Sequence, residues 1–202
     1  GVDLNRYIYT PYTAHDPPRF LFVGRLMREK GVEELFCAMR RLWTEGFHVH
    51  LQLLGFFEEQ YRQEVDRLVA GGMTEFFGFQ KEPLSFYQNC DCVVLPSYHE
   101  GMSNVLLEAA AVGRPIIASD IPGCREAVEH SKTGLLCRAK DADSLYVAMR
   151  AFLALSAEQK AALGQNGRRK MEREFDKASI VAETLRIVTA EKAAPQPRRV
   201  TA

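Results

Sequence analysis

Short runs of β-forming residues alternate with amphipathic helical stretches along most of the chain, and few folds accept that alternation. Phe20-Leu21-Phe22-Val23 is a continuous apolar run closed by Gly24, as in a strand covered on both faces. Val32, Leu35, Phe36, Met39 and Trp43 then recur at helical spacing. Residues 48–54 alternate, with Val49, Leu51 and Leu53 on one face. A charged amphipathic helix over 58–70 ends at a Gly71-Gly72 cap. Residues 74–77 and 92–95 read as strands, with a short helix over 83–88 between them. Two more strands fall at 116–118 and 134–137, and further helices at 104–112, 141–155, 157–175 and 177–189.

Strand, helix, strand in regular succession predicts an α/β fold: a Rossmann-like doubly wound parallel sheet of about six strands with helices on both faces. Such sheets take ligands at the carboxyl ends of their strands. The loops after Val23, Phe77, Leu95 and Ala118 are therefore where chemistry is expected.

Composition narrows the function. Lys plus Arg equals Asp plus Glu at 26 each, so no net field draws the chain toward nucleic acid or anionic lipid. Five cysteines without zinc or redox spacing suit a reduced, cytosolic compartment, with Cys92 as ordinary core sulfur. No apolar stretch approaches the roughly 18 residues of a membrane span. No signal peptide precedes the first strand, and the start at Gly1, without methionine, is what a chain excised from a longer protein would show.

Three features carry chemistry. The loop Gly24-Arg25-Leu26-Met27-Arg28-Glu29-Lys30-Gly31 joins a buried strand to a helix start, where backbone N–H groups favour an anion, and Arg25 and Lys30 add two cations. Two solvated charges flanking a loop would give the same pattern. Glu108 is the one ionisable side chain in an otherwise apolar helix over 104–112, where a carboxylate needs donors; sugar or ribose hydroxyls would serve, as would solvent or an internal arginine. Glu100 lies in the loop ahead of that helix. Gly101-Met102-Ser103-Asn104 leads into it, with Gly101 allowing close approach, Ser103 as an N-cap candidate and the open amides as a second anion site.

These residues, in this order, resemble glycosyltransferase family 4, the group 1 glycosyltransferases of the GT-B fold. The likeness rests on Gly24-Arg25 with Lys30-Gly31, Pro96-Ser97 before Glu100-Gly101, and seven residues between Glu100 and Glu108. It continues through residues 113–126 and Gly134-Leu135-Leu136, and runs from about 19 to 188. The resemblance implies a C-terminal donor domain over 19–175, with 1–18 as a hinge from a missing N-terminal acceptor domain. Residues 176–192 would then form a C-terminal helix and 193–202 a flexible tail. It implies that Arg25 and Lys30 grip the donor diphosphate, that Glu108 holds the ribose and that Glu100 faces the transferred sugar. Gly24 and the backbone of Gly101, Met102, Ser103 and Asn104 would line the donor, with Phe79 and Gln80 beside the base. The implied reaction retains anomeric configuration and uses no metal or cofactor, with a UDP-sugar as substrate and a lipid-linked or saccharide acceptor. Bacterial capsule, O-antigen or related polysaccharide synthesis is the implied setting, in the cytoplasm and peripheral to the inner membrane through the missing half.

Rival signals are weaker. Asp141-Ala142-Asp143 opens a helix, where carboxylates serve as caps rather than metal ligands. His48 and His50 share a strand face without a third ligand. His99 sits beside Glu100 but reads as a packing or solvated loop residue. GxGxxG, GxxxxGK[ST] and GxSxG are all absent, against an oxidoreductase, a Walker-type NTPase and a serine hydrolase. A non-catalytic module that binds nucleotide sugars or sugar phosphates stays open as the alternative.

Overall fold

The computed structural model describes residues 1–193. Six strands line up in parallel. They are β1 (Arg19–Val23), β2 (His50–Leu54), β3 (Thr74–Gly78), β4 (Cys92–Leu95), β5 (Ile116–Ser119) and β6 (Gly134–Cys137), in the order β3-β2-β1-β4-β5-β6. The central ones are apolar on both faces, and β3, at one edge, leaves Glu75 and Phe77 exposed. Parallel neighbours require crossovers, supplied by α1 (Val32–Thr44), α2 (Arg62–Ala70), α3 (Leu84–Gln88), α4 (Asn104–Val112) and α5 (Pro122–Ala127). After β6 come α6 (Ala142–Ala154), α7 (Ala157–Lys170) and α8 (Lys177–Ala193). The expected Rossmann-like sheet is therefore present, with α1 and α6 packed together and α4 packed against α3, α5 and α7.

Differences from the sequence expectation are local. β2 was expected to bury only the face of Val49, Leu51 and Leu53, yet Gln52 and Leu54 are buried too, because helices cover both sides of the sheet. His48 lies outside β2 and packs edge-on to Trp43 at 5.7 Å, so the two histidines do not share a strand face. The 58–70 helix begins with a 3₁₀ turn over Glu59–Tyr61. The 157–175 helix stops at Lys170 and continues as a π turn over Met171–Phe175. α5 was not anticipated, since Pro122-Gly123 reads as a turn. The tail over 193–202 lies outside the described residues, apart from Ala193 at the end of α8.

α4 is the keystone of its layer. Leu106, Leu107 and the alanines 109–111 are all buried, each leucine contributing about 2 kcal/mol by leaving water. Small residues let α7 come close: a Cβ on Gly164 would stand 2.0 Å from the Gly113 carbonyl oxygen, and one on Gly167 would stand 3.5 Å from the Ala110 Cβ. No helix among the described residues is long and apolar enough to cross a membrane.

Residues 1–18 lie along this domain and are tied to it at several points. Val2 N–H donates to the Phe175 carbonyl at 2.8 Å, and Lys177 N–H to the Val2 carbonyl at 3.0 Å. The buried Arg114 donates from Nη2 to the Thr10 carbonyl at 2.8 Å. Asp91, only 2% exposed, accepts from Tyr12 Oη (2.8 Å) and His15 N–H (3.0 Å) on one oxygen. Its other oxygen meets His15 Nδ1 (3.0 Å) and Arg19 N–H (2.8 Å). Removing that carboxylate leaves the half-buried amides of His15 and Arg19 without an acceptor. Asp91→Ala should cost about 3 kcal/mol of stability, read as a lower urea midpoint with an unchanged slope. A loss under roughly 1 kcal/mol would show that the anchor is unimportant.

Candidate active site

The strand order changes direction between β1 and β4, so α1 and α4 leave the sheet on opposite faces and a crevice opens above the two strand ends. Two loops border it: residues 24–31 after β1 and 96–103 after β4. They touch through their backbones. Tyr98 N–H donates to the Glu29 carbonyl at 2.8 Å. Gly31 has φ of 69°, and a Cβ there would stand 2.1 Å from the Pro96 carbonyl oxygen, so only glycine passes. From the next crossover, Gly123 lies so close that a Cβ would stand 1.9 Å from the Gly101 carbonyl oxygen.

At the meeting of these loops, Lys30 Nζ donates to Glu100 Oε1 at 2.5 Å, and Ser97 Oγ donates to the same oxygen at 2.8 Å. Ser97 is fully buried and the Glu100 side chain is 12% exposed. Lysine and carboxylate thus satisfy one another, although the sequence assigned them to different parts of a donor. Arg25 is exposed and makes no ion pair among the described residues. With Gly24, Phe79 and Gln80 it lines a cavity of about 190 Å³, whose other wall is Phe56. Phe56 and Phe79 stack nearly parallel, 5.1 Å apart, with both rings largely exposed, and Gln80 Nε2 donates to the Phe77 carbonyl at 2.7 Å.

Glu108 lies one turn into α4, half-buried, and lines a second cavity of about 190 Å³ with Asp3, Arg6, Tyr7 and Asn104. Tyr87 Oη donates to its Oε2 at 3.0 Å. Burial, then the Glu108 charge, push the Tyr87 hydroxyl well above its usual pKa, so it stays a donor at any physiological pH. Ser103 occupies the N-cap of α4 as expected, but its side chain makes no capping hydrogen bond, so the leading amides of the helix are left for an anion. Gly101 and Met102 are exposed at the rim.

The structure therefore joins Lys30 and Glu100 directly, groups Gly24, Arg25, Phe79 and Gln80 in one cavity, and places Asn104 and Glu108 in another. Sequence reasoning missed Phe56, Tyr87, Tyr7 and Arg6, which belong to segments distant along the chain. The thiols of Cys90 and Cys124 are pushed up to about 12, first by burial, which leaves them no nucleophilic role. A larger groove of about 580 Å³ lies between α1 and α2. Its polar groups are already paired, Tyr61 with Glu33 at 3.0 Å and Arg67 and Arg40 with Glu64.

Cations and an uncapped helix start at the switch point of a doubly wound α/β sheet are an arrangement that suits an anionic ligand. The chain belongs to the group 1 glycosyltransferases: the family described as Glycosyl transferases group 1 matches residues 11–170. It is 32% identical to the glycogen synthase of Mycobacterium tuberculosis, over 98% of this chain and 50% of that protein. It is 27% identical to the capsular polysaccharide biosynthesis glycosyltransferase CapM of Staphylococcus aureus, over 80% of this chain and 43% of that protein. Among solved structures, sucrose-phosphate synthase from Thermosynechococcus elongatus superposes with a TM-score of 0.82 at 29% identity, covering 96% of this chain and 52% of the other. HepE of Anabaena, in complex with UDP-glucose, shares the fold with a TM-score of 0.79 at 22% identity, covering 94% and 56%. The chain spans about half the length of the curated relatives it matches.

The backbone contact at Gly123 gives a direct test of how the rim is held. Gly123→Ala must push the Glu100-Gly101 loop outward, costing about 2 kcal/mol. Hydrogen exchange over residues 98–103 should rise several-fold in the variant. Unchanged exchange there would mean that α5 does not seat the loop.

Proposed function

We propose that this chain is the donor-binding domain of a retaining, metal-independent glycosyltransferase that takes a UDP-sugar and works with a preceding acceptor domain. The observation that carries the proposal is the pairing of Lys30 with Glu100 at the switch-point crevice, beside the open amides of α4. A diphosphate entering there draws Lys30 from Glu100, and the carboxylate so released faces the hydroxyls of the transferred sugar. As the bond from the anomeric carbon to the phosphate oxygen breaks, negative charge grows on the leaving diphosphate. Arg25, Lys30 and the α4 amino end stabilise that charge, supplying what a metal would otherwise supply. Glu108 accepts hydrogen bonds from the ribose hydroxyls, and the base lies near Phe79 and Gln80.

Support for a UDP-sugar comes from HepE, which shares the fold and was solved with UDP-glucose. CapM supports a place in capsular polysaccharide synthesis, and we take the acceptor to be a lipid-linked or growing saccharide. The preceding domain is supported by the half-length match to the relatives and by α8, which leaves Ile180, Val181, Leu185, Ile187 and Val188 exposed beside the Val2–Asp176 bridge. A helix with so much uncovered apolar surface calls for a partner, and the acceptor domain is that partner. We assign the reaction to the cytoplasm, at the inner face of the membrane.

UDP at a hundred times its Kd should stabilise the chain by about 2.7 kcal/mol. For a domain of this size that is roughly 5–10 °C in Tm. Replacing both Arg25 and Lys30 by Ala should abolish the shift. A full shift in the double variant would refute the diphosphate assignment.

A further inference from the structure

Two tyrosines face the Glu108 carboxylate. Its Oε2 accepts at 3.0 Å from Tyr87, whose side chain on α3 is fully buried, and the Tyr7 hydroxyl lies against the same carboxylate. Tyr7 backs this arrangement: it is 6% exposed and meets the Tyr87 ring edge-on, 6.2 Å between centroids at 70°. Tyr7 is fixed in turn, because Arg168 Nη1 donates to both the Tyr7 and Ala111 carbonyls at 2.9 Å. A chain of buried groups therefore runs from α7 through Tyr7 and Tyr87 to one oxygen of a carboxylate at a cavity wall.

A buried tyrosine hydroxyl needs an acceptor, and a backbone carbonyl would serve without any charge nearby. Here it instead meets the sole ionisable side chain of α4. A free glutamate carboxylate samples several rotamers, and holding it in one of them lowers the entropy lost when a ligand binds. We propose that Tyr87 is a positioning residue for the donor: its hydroxyl fixes Glu108 so that Oε1 faces the ribose diol. The inference rests on the proposed function, since it takes Glu108 as the ribose acceptor.

The test compares UDP with 2′,3′-dideoxy-UDP by titration calorimetry, on wild type and on Tyr87→Phe, which removes only the hydroxyl. Tyr87→Phe should bind UDP about tenfold more weakly, while its affinity for the dideoxy nucleotide should equal that of wild type, there being no diol left to orient. Equal weakening toward both nucleotides would mark a purely structural role and overturn the inference, as would no weakening toward either. Should Tyr87→Phe fold poorly, Glu108→Ala serves instead. The added Tyr7→Phe change, which removes the second hydroxyl facing Glu108, should weaken UDP binding with Glu108 present and have no further effect in the Glu108→Ala background. Equal effects in both backgrounds would overturn the inference. Wild type that binds neither nucleotide refutes the proposed function itself, a result separable from the loss of Tyr87 alone.

Discussion

Between β1 and β4 the winding of the sheet reverses, and everything that bears on ligand binding follows from that reversal. Helices α1 and α4 depart on opposite faces, so a crevice opens above the strand ends, bordered by the loops ahead of them. Neither helix layer can fill that space with side chains. The chain instead brings loops together at backbone distance, with Gly31 against Pro96 and Gly123 against Gly101. Substituting any larger residue would move a rim that has to match a ligand to within a fraction of an ångström.

On the proposed function, electrostatics in the crevice work by exchange of partners. Lys30 and Glu100 lie too far from bulk water to stay unpaired cheaply, and each neutralises the other. A diphosphate offers Lys30 more negative charge than one carboxylate does, and a sugar offers Glu100 hydroxyl donors. Arg25, exposed and without an ion pair among the described residues, needs no such release. On that proposal, charge at the reacting end is arranged before bond breaking, so little reorganisation remains for that moment. In the neighbouring cavity, Tyr87 does for Glu108 what Ser97 does for Glu100. Each hydroxyl occupies one oxygen of a carboxylate.

The sheet was legible in the sequence because buried parallel strands are short apolar runs, and Cys92–Leu95 or Ile116–Ser119 have no other use for four consecutive core residues. Helix α4 was legible to the residue, since Ser103 and Gly113 bracket an apolar stretch with a single charge. What stayed hidden depends on tertiary contact. Gly123 looks like a turn residue until the Gly101 carbonyl is seen against it. Gln52 looks solvent-facing until helices cover the second side of β2. Residues 1–18 have no periodicity, and their anchors, Asp91 and Arg114, lie far along the chain. Tyr7 and Tyr87 could be known only as aromatic residues, because their meeting at Glu108 is a product of the folded layers.

The most direct measurement is a crystal structure of this chain with UDP-glucose bound. The account predicts the diphosphate within hydrogen-bond reach of Arg25 and Lys30, the Lys30–Glu100 contact opened, and a ribose hydroxyl on Glu108 Oε1. Density for the nucleotide elsewhere, with Lys30 and Glu100 still joined and Glu108 facing only solvent, would contradict it.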